Sequence, residues 1–420
     1  MNVPHGGKRR PRLLVCCVNY APEILGTAPY TRDLAQWFAE HGWDVRVVTT
    51  YPYYPEWRRR PGGPRFGYRR EWTDGVTVLR CPSWIPAKPT GLKRLAHDVS
   101  FAASSLPVVL AHAAWRPDFT LVVAPTLASA PGVLLTAHLA RGRSWLHVQD
   151  YEVDVALRLG LLPPAACTVL KRLERRLVRS FDVVTSITEP MLDVARALGV
   201  PPERLLLLPN WANLATVRPL DRPSHFRASL GIPDGQRVVL YTGNLGRKQG
   251  ITLLVEAARR SQDRGSSVVY VVSGDGAARE ALASAATTLG VRNLLRLPLQ
   301  LNESFNELLN LADAHLIVQE AGVADFVMPS KLTNMLASGR PVIATTAPGT
   351  ALAELILRHD VGTISAPGDA AALADAIETL LRNDEGRLMQ GTNARAFAET
   401  FLDRDRLLNN LLTRLQQCCL

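Results

Sequence analysis

The stretch that decides the fold runs from Val238 to Arg260: Val238-Val239-Leu240-Tyr241-Thr242-Gly243-Asn244-Leu245-Gly246-Arg247-Lys248-Gln249-Gly250, then ITLLVEAARR. Val238, Val239 and Leu240 are a β-branched apolar run, the pattern of a buried parallel strand. Leu253, Leu254, Ala257 and Ala258 recur at helical spacing, so the stretch ends in an amphipathic helix. Between them lies a glycine-rich turn. Such a turn leaves backbone N–H groups pointing outward at a helix N-terminus, which is an anion site by geometry. Arg247 and Lys248 set two positive charges beside it, which suits a diphosphate better than a single carboxylate. A plain βα turn with two solvated basic residues is the competing reading. Neither the P-loop pattern GxxxxGK followed by Ser or Thr nor the dinucleotide pattern GxGxxG occurs in this turn.

At 420 residues the chain is too long for one ordinary core, so two domains are expected. A net charge of +10 fits an anionic partner: a nucleotide, a membrane surface or nucleic acid. Of six cysteines, Cys16-Cys17 and Cys418-Cys419 are adjacent pairs, and no C-x-x-C occurs. That is neither metal nor disulfide grammar, and it fits a reduced cytoplasmic setting. The basic N-terminus is a poor signal peptide, because Asn19 and Pro22-Glu23 cut its apolar run short. No run approaches the roughly 20 apolar residues of a membrane span.

Strand and helix alternate along both halves, which predicts an α/β fold of doubly wound parallel sheets. In the first half, strands are expected at Leu13–Val18, Val45–Val48, Gly75–Arg80, Phe119–Ala124, Trp145–Val148, Val183–Ile187 and Leu205–Leu208. Gly26 lies in the long first βα loop, at the sheet edge where ligands bind. Tyr51 to Arg70, rich in Pro, Arg and aromatics, reads as a loop. It suits single-stranded nucleic acid, a membrane surface, a polyanionic acceptor or plain solvent. Leu92 to Ala114 reads as a helix kinked at Pro107. Edged by Lys88, Lys93 and Arg94, it either packs in the core or lies on a bilayer. His147, Asp150 and Asp154 fall near the C-terminal end of one strand. Asp150 reads as a functional acid or as a helix cap, and His147 as a site residue or a structural one.

The second half restarts with strands at Val238–Tyr241, Val268–Ser273, Asn293–Leu297, Ala314–Val318 and Pro341–Ala344. Gly274-Asp275-Gly276 is another βα turn. Ser330 places a hydroxyl at or near the start of a short helix, with Lys331 beside it. Asp403-Arg404-Asp405 lies in a charged helical tail rather than a loop after a strand, so no metal site is expected. The expected division is a Rossmann-like domain over 1–208, a linker over 209–233, a second Rossmann-like domain over 234–390, and a helical segment over 391–420 that crosses back.

Assembled, these stretches resemble a family-4 retaining glycosyltransferase of the GT-B fold, two Rossmann-like domains facing a crevice, and within it the colanic-acid and exopolysaccharide enzymes. The resemblance rests on NYAPEILGTAPYTRDLAQWFAEHGWDVRVVTT, HVQDYEVDVALRLG, LLPNWANLATVRPL, YTGNLGRKQG, SGDGAARE and VMPSKLTNMLASGRPVIA, and covers nearly the whole chain. It implies that Gly26 approaches the donor diphosphate and that Arg247 and Lys248 clamp it. It also implies that Ser330, Lys331 and Leu332 form the helix start that meets the nucleotide. Gly243, Asn244, Gly274 and Asp275 are the donor-side turn candidates. Asn334 stands where the family has the second glutamate of its Glu…Glu pair, and Phe326 where it has the first, with Asp325 adjacent. Asp150, His147 and Asp325 are the acceptor or sugar candidates, and Asp150 is also a catalytic candidate with Arg247 and Lys248.

The expected reaction transfers a sugar from a nucleotide sugar to a lipid-linked saccharide at the inner face of a membrane, with no cofactor and no nucleic acid. A sugar-nucleotide epimerase of the same fold and a nucleic-acid-binding protein are the other classes considered.

Overall fold

The computed structural model describes residues 9–417 apart from positions 25, 55, 60–66, 88–90, 126, 152–163, 247–249, 277, 301–302 and 320–327. The chain forms two compact units, Met1–Pro209 with Asn410–Leu420, and Asn210–Asn409.

The first unit runs β1 (Arg12–Cys16), α1 (Ala28–Glu40), β2 (Asp44–Thr50), β3 (Arg69–Thr73), β4 (Val76–Cys81), α2 (Gly91–Ala111), β5 (Phe119–Ala124), α3 (Ala130–Ala140), β6 (Arg143–Val148), α4 (Pro164–Arg179), β7 (Val183–Ser186), α5 (Glu189–Ala197) and β8 (Leu205–Leu207). Its sheet order is β3-β4-β2-β1-β5-β6-β7-β8. Leu13 pairs with Val45 on one side and Phe119 on the other, both in parallel register. Alternation along each strand gives the sheet two apolar faces. Leu14, Cys16, Val122, Leu146 and Val184 pack with Phe101, Val133, Val178 and Leu192, so α2, α3, α4 and α5 cover one face. Over the other, Phe38 of α1 meets Trp43 edge-on, with centroids 5.1 Å apart.

Two expectations change here. The loop expected to run to Arg70 ends earlier, because Arg69–Thr73 is β3, paired antiparallel with β4. Its residues are mostly exposed, so an edge strand with no apolar face left no periodic signal. Pro107 lies inside α2, which ends at Ala111 and passes into a 3-10 turn over His112–Trp115.

The second unit contains α6 (His225–Ser229), β9 (Val238–Thr242), α7 (Thr252–Asp263), β10 (Val269–Ser273), α8 (Arg279–Thr288), β11 (Leu294–Leu297), α9 (Glu303–Leu309), β12 (Ala314–Ile317), α10 (Leu332–Ala337), β13 (Val342–Thr345), α11 (Ala351–Arg358), β14 (Gly362–Ser365), α12 (Ala370–Arg382), α13 (Asp384–Phe401) and α14 (Arg404–Gln417). All neighbours in its sheet, β11-β10-β9-β12-β13-β14, are parallel. Residues 210–233, expected as a linker, belong to this unit. Phe226 and Ile232 bury against Val238 and Leu240, and the Leu220 N–H donates to Asn310 Oδ1 at 3.0 Å. Both interactions hold the segment down.

Each sheet has one place where its order reverses. From β1 the chain goes to β2 on one side, and β5 lies on the other; from β9 it goes to β10, and β12 lies opposite. Loops at the carboxyl ends of strands flanking such a switch point diverge, and the crevice between them is where open α/β sheets bind ligands.

Candidate functional site

At the switch point of the second sheet, the loop after β9 is built onto the loop after β10. The Gly243 N–H donates to Ser273 O at 3.0 Å, the Leu245 N–H to Asp275 O at 2.9 Å, and the Ala278 N–H to Leu245 O at 2.8 Å. Gly274 permits this contact, since a Cβ there would stand 1.9 Å from Gly243 O. The Tyr241 hydroxyl donates to Asn244 O at 2.9 Å and fixes the turn from below. Asp275 Oδ1 accepts from the Gly276 N–H at 2.8 Å and lies 3.7 Å from Arg279 Nη1. Arg247 and Lys248 lie outside the described residues, as do Asp154, Asp325 and Phe326.

Lys331 enters this edge from the segment after β12. Its Nζ lies 3.9 Å from the centroid of the Tyr241 ring and 3.8 Å from where a Gly243 side chain would begin. The residue as a whole is half-buried, but the Nζ itself is inaccessible and has no hydrogen-bond partner among the described residues. Burial lowers its pKa from 10.5 to about 7. An ammonium held over a ring face gains a cation–π attraction, yet among the described residues its three N–H donors meet no acceptor. A buried donor without an acceptor is costly, so the geometry favours an anion arriving at Gly243. Tyr241 has no part in the sequence reading of the site. Its only sequence signal is an aromatic ring near the end of an otherwise aliphatic strand.

Ser330 does not act as the expected cap. The cap position of α10 is Lys331, with helical dihedrals and no side-chain cap hydrogen bond, and the Ser330 carbonyl accepts from Thr333 Oγ1 at 3.0 Å. Leu332 is buried in the core, and Asn334 is half-buried one turn into the helix.

In the first unit, Gly26 sits in the loop after β1 with φ +67°, a left-handed conformation that a side chain would strain. A Cβ there would lie 3.7 Å from Tyr54 Cε1. Glu23, absent from the sequence reading, ties this loop to the one after β2: its Oε1 accepts from the Tyr53 and Tyr54 N–H groups at 2.8 and 2.9 Å. His147 is structural. Its Nε2 accepts from Gln149 Nε2 at 2.8 Å, which leaves the proton on Nδ1 to donate to Thr185 Oγ1 at 2.8 Å. Thr185 Oγ1 also accepts from Trp145 Nε1 at 2.9 Å and donates to Leu146 O at 3.4 Å. Burial lowers the His147 pKa to about 4, so the ring stays neutral. Asp150 follows β6, half-buried and engaged with a neighbour.

Asp403 Oδ1 accepts from the Arg406 N–H at 2.7 Å, as a helix-start acid does, and Asp405 pairs with Arg404 at 3.0 Å. No group of three potential metal ligands occurs among the described residues.

Two doubly wound α/β units in one chain, the second with a basic, glycine-lined switch point, are the architecture of the GT-B class. Residues 26–211 match the description "Glycosyl transferase 4-like domain" and residues 224–397 match "Glycosyl transferases group 1". The chain belongs to the family-4 glycosyltransferases. It is 36% identical over 411 residues to the "Putative colanic acid biosynthesis glycosyl transferase WcaI" of Escherichia coli (strain K12), covering 96% of this chain and 98% of that protein. In fold it is similar to sucrose-phosphate synthase from Thermosynechococcus elongatus, with a TM-score of 0.74, 18% identity, and 97% and 99% of the two chains covered. It is also similar to Anabaena Alr3699/HepE in complex with UDP-glucose, with a TM-score of 0.69, 16% identity, and 97% and 99% covered.

Proposed function

We propose that this glycosyltransferase moves a sugar, with retention, from a nucleoside-diphosphate sugar to a lipid-linked saccharide in exopolysaccharide synthesis. The observation that carries the reading is the Lys331 ammonium, buried and without a hydrogen-bond partner among the described residues, beside Gly243. The UDP-glucose complex of the Anabaena protein and the likeness to a colanic acid biosynthesis glycosyl transferase of Escherichia coli support the donor class and the pathway class.

In this reading the bond from the anomeric carbon to the β-phosphate oxygen breaks, and a bond from that carbon to an acceptor oxygen forms on the same face. The acceptor's proton passes to the departing phosphate oxygen, so no strong protein base is needed. Charge builds on the diphosphate as it leaves. Lys331, with Arg247 and Lys248 as the family resemblance implies, meets that charge, each well-placed donor contributing roughly 3–4 kcal/mol. The cations do the work that a metal does elsewhere. Asp150 holds an acceptor or sugar hydroxyl.

Peripheral attachment to an anionic membrane completes the reading. Lys93 and Arg94 of α2 and Arg172, Arg175 and Arg176 of α4 are exposed, on helices that cover the same face of the first sheet. No helix among the described residues is long and apolar enough to cross a membrane.

A thermal-shift screen of nucleoside diphosphates and their sugars tests the donor assignment, since a ligand of the folded state raises Tm. One diphosphate should raise the Tm of the wild type and raise that of Lys331→Met by less. Conversion of a nucleotide sugar to its epimer without acceptor would overturn the transfer reading.

A further inference from the structure

A cavity of about 230 Å³ lies between α2 and the start of α3, lined by Val99, Ala103, Leu106, Val109, Ala128 and Pro131. It is a cleft open on one side, mostly apolar, with Ser105 and Ser129 also in its lining. Its floor is where the helices touch: a Cβ on Gly132 would come within 2.8 Å of Leu106 Cδ1. Ala128 belongs to the loop after β5, so the cavity adjoins the switch point of the first sheet.

The mouth continues along α2. Leu92, Leu95, Val99 and Leu106 are 62%, 39%, 52% and 42% exposed. They recur at helical spacing on one stripe, which a helix of a soluble protein normally turns to its core. Here His97 and Phe101, on the opposite side of α2, are buried, as are Ser105 and Val109 at the cleft. Lys93 and Arg94 are exposed at the start of the stripe. The Arg94 guanidinium lies 5.3 Å from the Trp57 ring centroid. Asp98, whose charge interacts with that of Arg94, has its carboxyl pushed up by burial, so it offsets less of that charge near neutral pH.

A second copy docking by the same stripe would bring Lys93 and Arg94 against their own counterparts, since a two-fold contact uses one patch twice. A flat protein face would also leave the cavity empty. A hydrocarbon chain with an anionic head matches both the cavity and the charge.

We propose that the cleft between α2 and α3 seats the hydrocarbon chain of a phosphate-bearing lipid, with Lys93 and Arg94 at its head. This deepens the lipid-linked acceptor reading by giving the lipid its place. Calorimetric titration of the full chain with inorganic phosphate, hexyl phosphate, octyl phosphate and octanol, below micelle concentration, tests it. Affinity should rise about fourfold per methylene from hexyl to octyl phosphate, the increment for a buried CH₂, and inorganic phosphate should not compete. Ala103→Trp, at the exposed mouth, and Leu106→Glu should each abolish the dependence on chain length. Circular dichroism shows which variant is folded and therefore counts. Lys93→Ala with Arg94→Ala should bring octyl phosphate down to the affinity of octanol, and octanol itself should not change. Equal binding of hexyl and octyl phosphate, or full octyl binding by both cleft variants, overturns the proposal. So does a wild-type dimer that Leu106→Glu dissociates, because a second copy then covers the stripe. UDP titrated in parallel separates the two readings: a wild type without chain dependence but with UDP binding intact counts against the cleft alone, and failure of UDP to bind counts against the donor site alone.

Discussion

Lys331 carries a charge whose presence depends on pH. An unfolded chain keeps a lysine protonated to about pH 10, whereas the folded chain releases this proton above about pH 7. Between those limits the unfolded state binds more protons, so stability rises with pH. Lys331→Met should therefore raise Tm most near pH 6 and least near pH 10, measured by scanning calorimetry. A bound diphosphate favours the ammonium, so wild-type affinity for it should fall as pH climbs from 7.5 toward 9.5. Lys331→Met should bind roughly 1.5–3 kcal/mol more weakly at pH 7, the range for a charge-assisted hydrogen bond, with a flatter pH profile. Wild-type affinity and slope in the variant would remove Lys331 from the site. Asp150→Asn should keep Tm within about 2 °C, a shift of less than roughly 1 kcal/mol, while turnover drops sharply; equal losses of both favour a structural acid. The sequence placed Lys331 at a helix start beside the phosphate turn. It gave no sign that the side chain lies over Tyr241, because that contact joins residues 90 positions apart across two strands.

At the scale of elements, the phosphate edge is two loops fastened together. Gly274→Ala would drive a methyl group into Gly243 O, and relieving it must move both loops. The cost should be roughly 1–3 kcal/mol, as for overpacking elsewhere, together with loss of diphosphate binding. A variant with reduced Tm but undiminished binding would show that the turn tolerates the shift. Alternation made most strands legible, since β1, β5, β9 and β10 are short apolar runs bounded by turn residues. It missed β3, whose RREWT sequence has an exposed edge pattern, and β14, four residues opening on a glycine. The Ser330 cap was expected from residue type alone, and the helix instead begins one residue later.

For the whole molecule, a leaving group neutralised by lysine and arginine predicts turnover that survives chelator. Activity abolished by chelator and restored by magnesium or manganese would refute this. An anionic membrane partner predicts sedimentation with anionic liposomes that weakens with salt, at about 1 kcal/mol per basic residue near the surface; no binding at low salt ends that reading. The two-unit organisation was legible from length and from the restart of alternation, while the assignment of residues 210–233 was not. Its Pro-rich sequence reads as a connector, and the burial of Phe226 and Ile232, with the Leu220–Asn310 hydrogen bond, ties it down.

Residues 410–420 group with the first unit although the second unit separates them from it in sequence. Leu411 and Leu415 of α14 are 4% and 1% exposed, so both are buried. On the ribosome the first unit therefore waits. Its sheet emerges early, but the last residues that group with it follow about 200 residues later, some ten to forty seconds at roughly 5–20 residues per second. The second unit can complete its core in that interval. Nascent chains stalled before residue 410 should show a protease-resistant second unit and a first unit still open to chaperone, with resistance of the first appearing only once α14 has left the exit tunnel.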